Sequence, residues 1–241
     1  MTIKDLVQKY HSNREAYLKA DYNETQLRTD FLDPLFEMLG WDIKNNQGKP
    51  TNEREVLVEE ALRGDADTNT KKPDYTFRLF SERKYFLEAK KPNVKIDSDP
   101  DPAEQVRRYG FTAKLKISVL SNFEHLAIYD CSKKVEKDDS AIKSRIKIYH
   151  YTEYEEAFDE IQQQLSRAVV YSGEFDETWR EIENQIKSSS IDDLFLEQIN
   201  DWRLLLGTEI YAHQSELNEE ELNDLVQSYI NSIIFLRVCE D

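Results

Sequence analysis

Apolar side chains recur every three to four residues over 3–18 and again over 24–39. In the second stretch Leu27, Phe31, Leu32, Leu35, Phe36 and Leu39 line one face. This spacing predicts two amphipathic helices, separated by a turn at Asp21-Tyr22-Asn23, with Gly40 placed to cap the second. From residue 55 the period changes to two. Residues 55–59, 75–80, 85–89, 117–120, 125–129 and 145–150 read as strands. Helices are predicted at 102–115 and 153–165, a tight polar turn at Ser81-Glu82-Arg83, and polar loops at 63–72 and 132–140. That order predicts an α/β domain with a mixed central sheet flanked by helices.

Beyond about Gly173 the strand signal stops. Helical patterns at 174–187, 191–213 and 218–240 predict an all-α segment, which divides the chain into 1–170 and 171–241. The last pattern runs into FLRVCED without a stop signal, which reads as a piece of a longer polypeptide. No apolar run is long enough to span a bilayer, and the charged N-terminus has no signal-peptide core. Cys131 and Cys239 form neither a metal-ligand spacing nor a disulfide framework, so a reduced, cytoplasmic setting is expected.

The net charge of −16 argues at first against a nucleic-acid partner. Its distribution changes the picture. Residues 171–241 hold 17 acidic and 4 basic side chains, whereas 71–116 hold 12 basic and 7 acidic ones. The acid excess lies in the tail, and the segment with the candidate chemistry is mildly basic. A phosphate backbone is attracted to such a patch, but the overall charge predicts weak unaided DNA binding. Most of the DNA affinity is expected to come from outside this chain.

Mg²⁺-dependent hydrolysis of a phosphodiester needs oxygen ligands for a hard cation, and a cationic group near the attacking water. Asp74, Glu88 and Lys90 can supply these. Side chains alternate along a strand, so Phe86, Glu88 and Lys90 share one face and Tyr85, Leu87 and Ala89 the other. The turn at 81–83 folds strand 85–90 back beside 75–80, bringing Asp74 level with Glu88 and Lys90, and the Ala89 carbonyl can add a further metal ligand. An acid-x-base triplet by itself carries no weight, since composition alone predicts about six of them. The same residues would also suit a solvated hairpin end. The helix that follows contains Gln105 and Tyr109, four apart and therefore on one face. Gln105 can reach a phosphate or a catalytic carboxylate, Tyr109 the strand being cut, and Arg107 and Arg108 phosphates. Taken alone, that helix reads more plainly as a packing helix with two solvated arginines.

Pro73-Asp74…Glu88-Ala89-Lys90 followed by Gln105-x-x-x-Tyr109 resembles the PD-(D/E)xK nucleases that carry an extra QxxxY motif. These occur in type I restriction subunits and in type IIG enzymes, which fuse nuclease and methyltransferase. Residues 24–41 resemble the helix that opens such domains, and Val119-Leu120-Ser121-Asn122 with 125–130 the strand pair after the QxxxY helix. Trp202 and residues 222–241 resemble the helical connector before the methyltransferase of type IIG enzymes.

The resemblance implies a restriction-endonuclease-like fold, with Asp74 and Glu88 as Mg²⁺ ligands (Mn²⁺ able to substitute) and Lys90 acting on the attacking water. Gln105 and Tyr109 would be accessory contacts. Glu24 matches an acidic helix position sometimes recruited to such sites, and also suits a helix first turn. Glu59 and Glu60 end the first strand near this region. The implied partners are double-stranded DNA, the chain's own methyltransferase and target-recognition domains, and a transient second copy for double-strand cleavage. S-adenosylmethionine would bind only outside these residues, because no glycine-rich loop or NPPY-type sequence is present. Two other readings stay open: a type I-like nuclease placed before a helicase motor, and a non-catalytic scaffold with a nuclease-like fold.

Overall fold

The computed structural model describes residues 1–60, 72–136, 138–214 and 216–240. For 183–198, 201, 219, 234 and 236–240 it describes the backbone alone. The polar loop expected at 63–72 lies almost wholly outside the described residues. The chain forms two compact units, Met1–Ile186 and Lys187–Asp241.

The first unit is built on a six-stranded mixed sheet flanked by helices, with strands adjacent in chain order. They are β1 (Val56–Val58), β2 (Tyr75–Leu79), β3 (Glu82–Ala89), β4 (Ile117–Ser121), β5 (His125–Asp130) and β6 (Arg145–His150). All neighbours run antiparallel except β3 and β4, which are parallel and joined through helix α4 (Pro100–Thr112). Leu79 faces Glu82 across the β2–β3 hairpin, so the turn falls at Phe80-Ser81 and not at 81–83. Phe80 takes a left-handed φ of 54°, which lets two residues reverse the chain.

Alternation along the strands supplies two apolar faces. Tyr85, Leu87, Ala89, Ile117 and Val119 enter the main core. It is shared with α1 (Ile3–Tyr17), α2 (Glu24–Leu27), α3 (Asp33–Met38) and α5 (Tyr154–Leu165). On the opposite face Phe86 packs with Tyr109 and Leu115, and Leu120, Ala127 and Tyr129 pack with Ala103 and Val106 of α4. Burying a side chain such as Leu87 or Phe86 contributes about 1.5–3 kcal/mol, which ties each helical layer to the sheet. Gly110 sets how closely α4 can lie. A Cβ there would collide with Cys131 Sγ and Ser118 Oγ and stand 2.9 Å from Cys131 Cβ.

The helix expected over 24–39 is interrupted. Between α2 and α3, Arg28–Leu32 form a widened π turn, in which the Asp33 N–H reaches back five residues to the Arg28 carbonyl. Pro34 explains it. Proline has no N–H to donate, and its ring excludes the carbonyl four residues back. That carbonyl belongs to Asp30, and it accepts from Lys9 Nζ at 3.1 Å.

The unit continues past residue 170, where the domain boundary is expected from the loss of strand signal. After α6 (Arg167–Ser172), Phe175 of α7 (Glu174–Thr178) and Trp179 are members of the main core. Arg167 also forks onto the buried Glu55 at 2.8 and 3.0 Å. The tail is helical as expected, but its first two patterns merge. After α7 a single helix, α8 (Arg180–His213), runs through the anticipated break at 188–190. Helix α9 (Glu219–Glu240) begins with a reciprocal cap between Asn218 and Glu221. Within the second unit Val226 and Ile230 are buried, and Val226 lies beside Gly207 of α8. No helix among the described residues is long and apolar enough to cross a membrane.

Candidate functional site

The β2–β3 register sets Tyr75 opposite Leu87, so one step further along places Asp74 opposite Glu88 at the sheet margin. Asp74 turns over the end of β3, and its Oδ2 accepts the Ala89 N–H at 2.7 Å. Its Oδ1 accepts from Arg28 Nη1 at 3.1 Å. Glu88, on the α4 side of β3, is almost wholly buried. Its Oε1 accepts both from Lys90 Nζ at 2.6 Å and from Gln105 Nε2. Asp74, Glu88 and Lys90 are thus brought together, with Gln105 joined to them.

Tyr109 lies buried against Phe86 and Leu115, with its hydroxyl 3.3 Å from Gln105 Nε2. It braces Gln105 and does not present its ring to solvent. Arg107 departs from expectation. It is buried at the sheet and paired with Asp139 at 2.9 Å, so it cannot serve as a phosphate contact. The i,i+4 face it occupies with Ala103 is the face packed on β4 and β5. Arg108, one residue on, points outward, about half exposed, 3.6 Å from Glu104. Glu60 has both oxygens taken by Arg83, at 2.8 and 3.0 Å. Glu59 is largely exposed and shares Arg28 Nη1 with Asp74, at 3.1 Å.

The electrostatics follow from burial. Desolvation pushes the Glu88 carboxyl up to about 7; the Lys90 ammonium opposes this, and the charges of Asp74 and Glu24 add to it. Desolvation also raises Asp74, opposed by the Ala89 N–H and by Arg28 and Lys90, and again reinforced by Glu24. Glu24 therefore lies close enough to act on both carboxylates. Glu88 Oε2 is buried without a hydrogen-bond partner. A buried carboxylate oxygen left so costs of order 1–3 kcal/mol or more, and that oxygen is available to a hard cation. Among the described residues no group of three His, Cys, Asp or Glu side chains is arranged to hold a metal. A divalent ion here would take Asp74 and Glu88 as its side-chain ligands, with the remaining oxygens supplied by backbone, water or substrate.

Arg28 escapes a motif-based reading. Its Nε lies 3.3 Å from the Tyr75 hydroxyl, which donates to Asp33 Oδ1 at 2.6 Å. Its guanidinium sits 4.8 Å from the centre of the Tyr75 ring. One signal was present in the sequence: Arg28 follows Glu24 by four residues, the spacing that puts both on one helical face.

The fold and the cluster define an α/β domain with a carboxylate–lysine–glutamine site at the margin of a mixed sheet. The chain is 66% identical over 239 residues to the type II restriction enzyme and methyltransferase RM.Eco57I of Escherichia coli. The match takes in 99% of this chain and 24% of that protein, so the chain spans about a quarter of the relative's length. No family model and no solved structure matches the chain.

Proposed function

We propose that this domain is the Mg²⁺-dependent, PD-(D/E)xK-type endonuclease part of a type IIG restriction–modification protein, and that it hydrolyses phosphodiester bonds of double-stranded DNA. The observation that carries the reading is Glu88. It is a buried carboxylate with one oxygen unpartnered, held beside Lys90 and opposite Asp74, in a chain that resembles a restriction enzyme over nearly its whole length. A cation held by Asp74, Glu88 and the Ala89 carbonyl supplies Lewis-acid stabilisation of the phosphoryl transition state.

The chain's own groups do the rest. Gln105 fixes the rotamer of Glu88, and Tyr109 holds Gln105 in turn. Lys90 orients the attacking water and favours hydroxide, the proton passing to solvent. As the water oxygen bonds to phosphorus, the bond to the leaving oxygen breaks and that oxygen takes up a proton from solvent. Arg108 faces the DNA backbone. Methyltransferase and target-recognition domains elsewhere in the protein supply S-adenosylmethionine binding and most of the DNA affinity, as the acidic tail requires. Two copies meet on DNA to cut both strands, in the cytoplasm.

The test uses the full-length protein. Asp74→Ala, Glu88→Ala and Lys90→Ala each abolish cleavage and leave methylation intact. Normal cutting by any one of them refutes the assignment.

A further inference from the structure

We infer that Arg28 is a built-in competitor for the metal, holding the Asp74 oxygen a divalent cation would take and yielding it by moving over to Glu59. The inference rests on the metal reading proposed above. Both oxygens of Asp74 are engaged: Oδ2 by the Ala89 N–H at 2.7 Å and Oδ1 by Arg28 Nη1 at 3.1 Å. The first contact belongs to the backbone at the end of β3 and is fixed by the fold. The second is made by a side chain, so Oδ1 is the oxygen that can change partners.

A guanidinium at that distance and a divalent cation on the same oxygen repel each other strongly in a poorly solvated site. Asp74 is only 17% exposed at its side chain and Arg28 only 14%, so water screens them little. An alternative acceptor already stands in place. Glu59 Oε1 lies 3.1 Å from the same Nη1, on a side chain 65% exposed and free to follow. The Tyr75 hydroxyl and ring hold the guanidinium within reach of both carboxylates. Arg28 opens the π turn, a helix irregularity often found at working sites. Asp74 and Glu59 pair with Arg28, and Glu88 pairs with Lys90, so acids outnumber cations in the cluster.

A purely structural Arg28 would steady Asp74, and its loss would weaken metal binding. A competing Arg28 does the reverse. If the Arg28–Asp74 contact is closed about nine-tenths of the time, it weakens the apparent metal affinity about tenfold. Glu59 favours the open arrangement, so removing its charge should strengthen the hold on Asp74.

Titration calorimetry with Mn²⁺ on the chain without DNA tests this, with melting curves as a check on folding. Arg28→Gln is expected to bind Mn²⁺ about tenfold more tightly than the parent, and Glu59→Gln to bind it more weakly. Glu59 is exposed, so its variant keeps the inference testable if Arg28→Gln folds poorly. Equal or weaker Mn²⁺ binding by a folded Arg28→Gln overturns the inference and leaves the metal site standing. So does unchanged binding by Glu59→Gln. If the parent chain binds no Mn²⁺, or if Asp74→Asn with Glu88→Gln binds it normally, the metal reading falls and this inference with it.

Discussion

Replacing Gly110 with alanine sets two effects of opposite sign against each other. In the interior of a helix, glycine to alanine stabilises by about 1 kcal/mol, because the chain loses less freedom on folding. At this position in α4 the added Cβ has nowhere to go. It would collide with Cys131 Sγ and Ser118 Oγ and stand 2.9 Å from Cys131 Cβ, and both neighbours, Ser118 in β4 and Cys131 just past β5, are buried. Overpacking of that kind costs about 1–3 kcal/mol. The steric effect should win by up to about 2 kcal/mol, a fall of up to about 8 °C in melting temperature for a chain of this size. Thermal melts followed by circular dichroism measure it. Adding Cys131→Ala should return part of the loss, since it removes one of the colliding atoms, and the two changes should be non-additive. The site should register the strain as well, because Gln105 is on the same helix and reaches Glu88. A Gly110→Ala protein melting at or above the parent would show that helix propensity outweighs contact with the sheet, and that α4 is not held as closely as described.

Two further outcomes follow from burial. The folded Glu88 carboxyl is held up at about 7 against an ordinary 4.5, so between those values the folded chain keeps a proton that the unfolded chain has released. Stability from this group is complete below the lower value and is lost as pH rises through the upper one, by an amount of order 3 kcal/mol. Metal-free Glu88→Gln should therefore melt above the parent at about pH 8 and level with it at about pH 4; equal melting at both would contradict the burial of Glu88. On α4, Arg107→Ala should lower the melting temperature through loss of its buried packing and its pair with Asp139. Arg108→Ala should leave the melting temperature unchanged and weaken DNA binding by the full-length protein. The opposite pattern would mean that the two arginines have exchanged faces.

Much of the sheet was legible because its signals are local. Alternation marked β2 to β6 to within a few residues, and the short gap between the runs at 75–80 and 85–89 marks the β2–β3 hairpin, though its turn falls at Phe80-Ser81. The placement of Asp74 beside Glu88 is a consequence of that hairpin alone, and the meeting of Gln105 with Glu88 needs only α4 lying over β3. What stayed hidden depends on contacts distant in sequence. The π turn requires Lys9 to satisfy a carbonyl that Pro34 leaves free. Arg107 and Arg108 are equivalent by composition, and only the phase of α4 on β4 and β5 buries one and exposes the other. The domain edge at 170 followed the loss of strand signal, whereas Phe175 and Trp179 continue the core with helical residues. The helical patterns at 174–187 and 191–213 read as separate, whereas α8 runs unbroken through the gap between them.

The site also joins two independently packed layers. Glu88 is gripped by Gln105 from the α4 side of the sheet, and Asp74 by Arg28 from the side of α2 and the π turn. The two carboxylates are therefore held from opposite faces of one sheet, and a shift of either helical layer changes the gap between them.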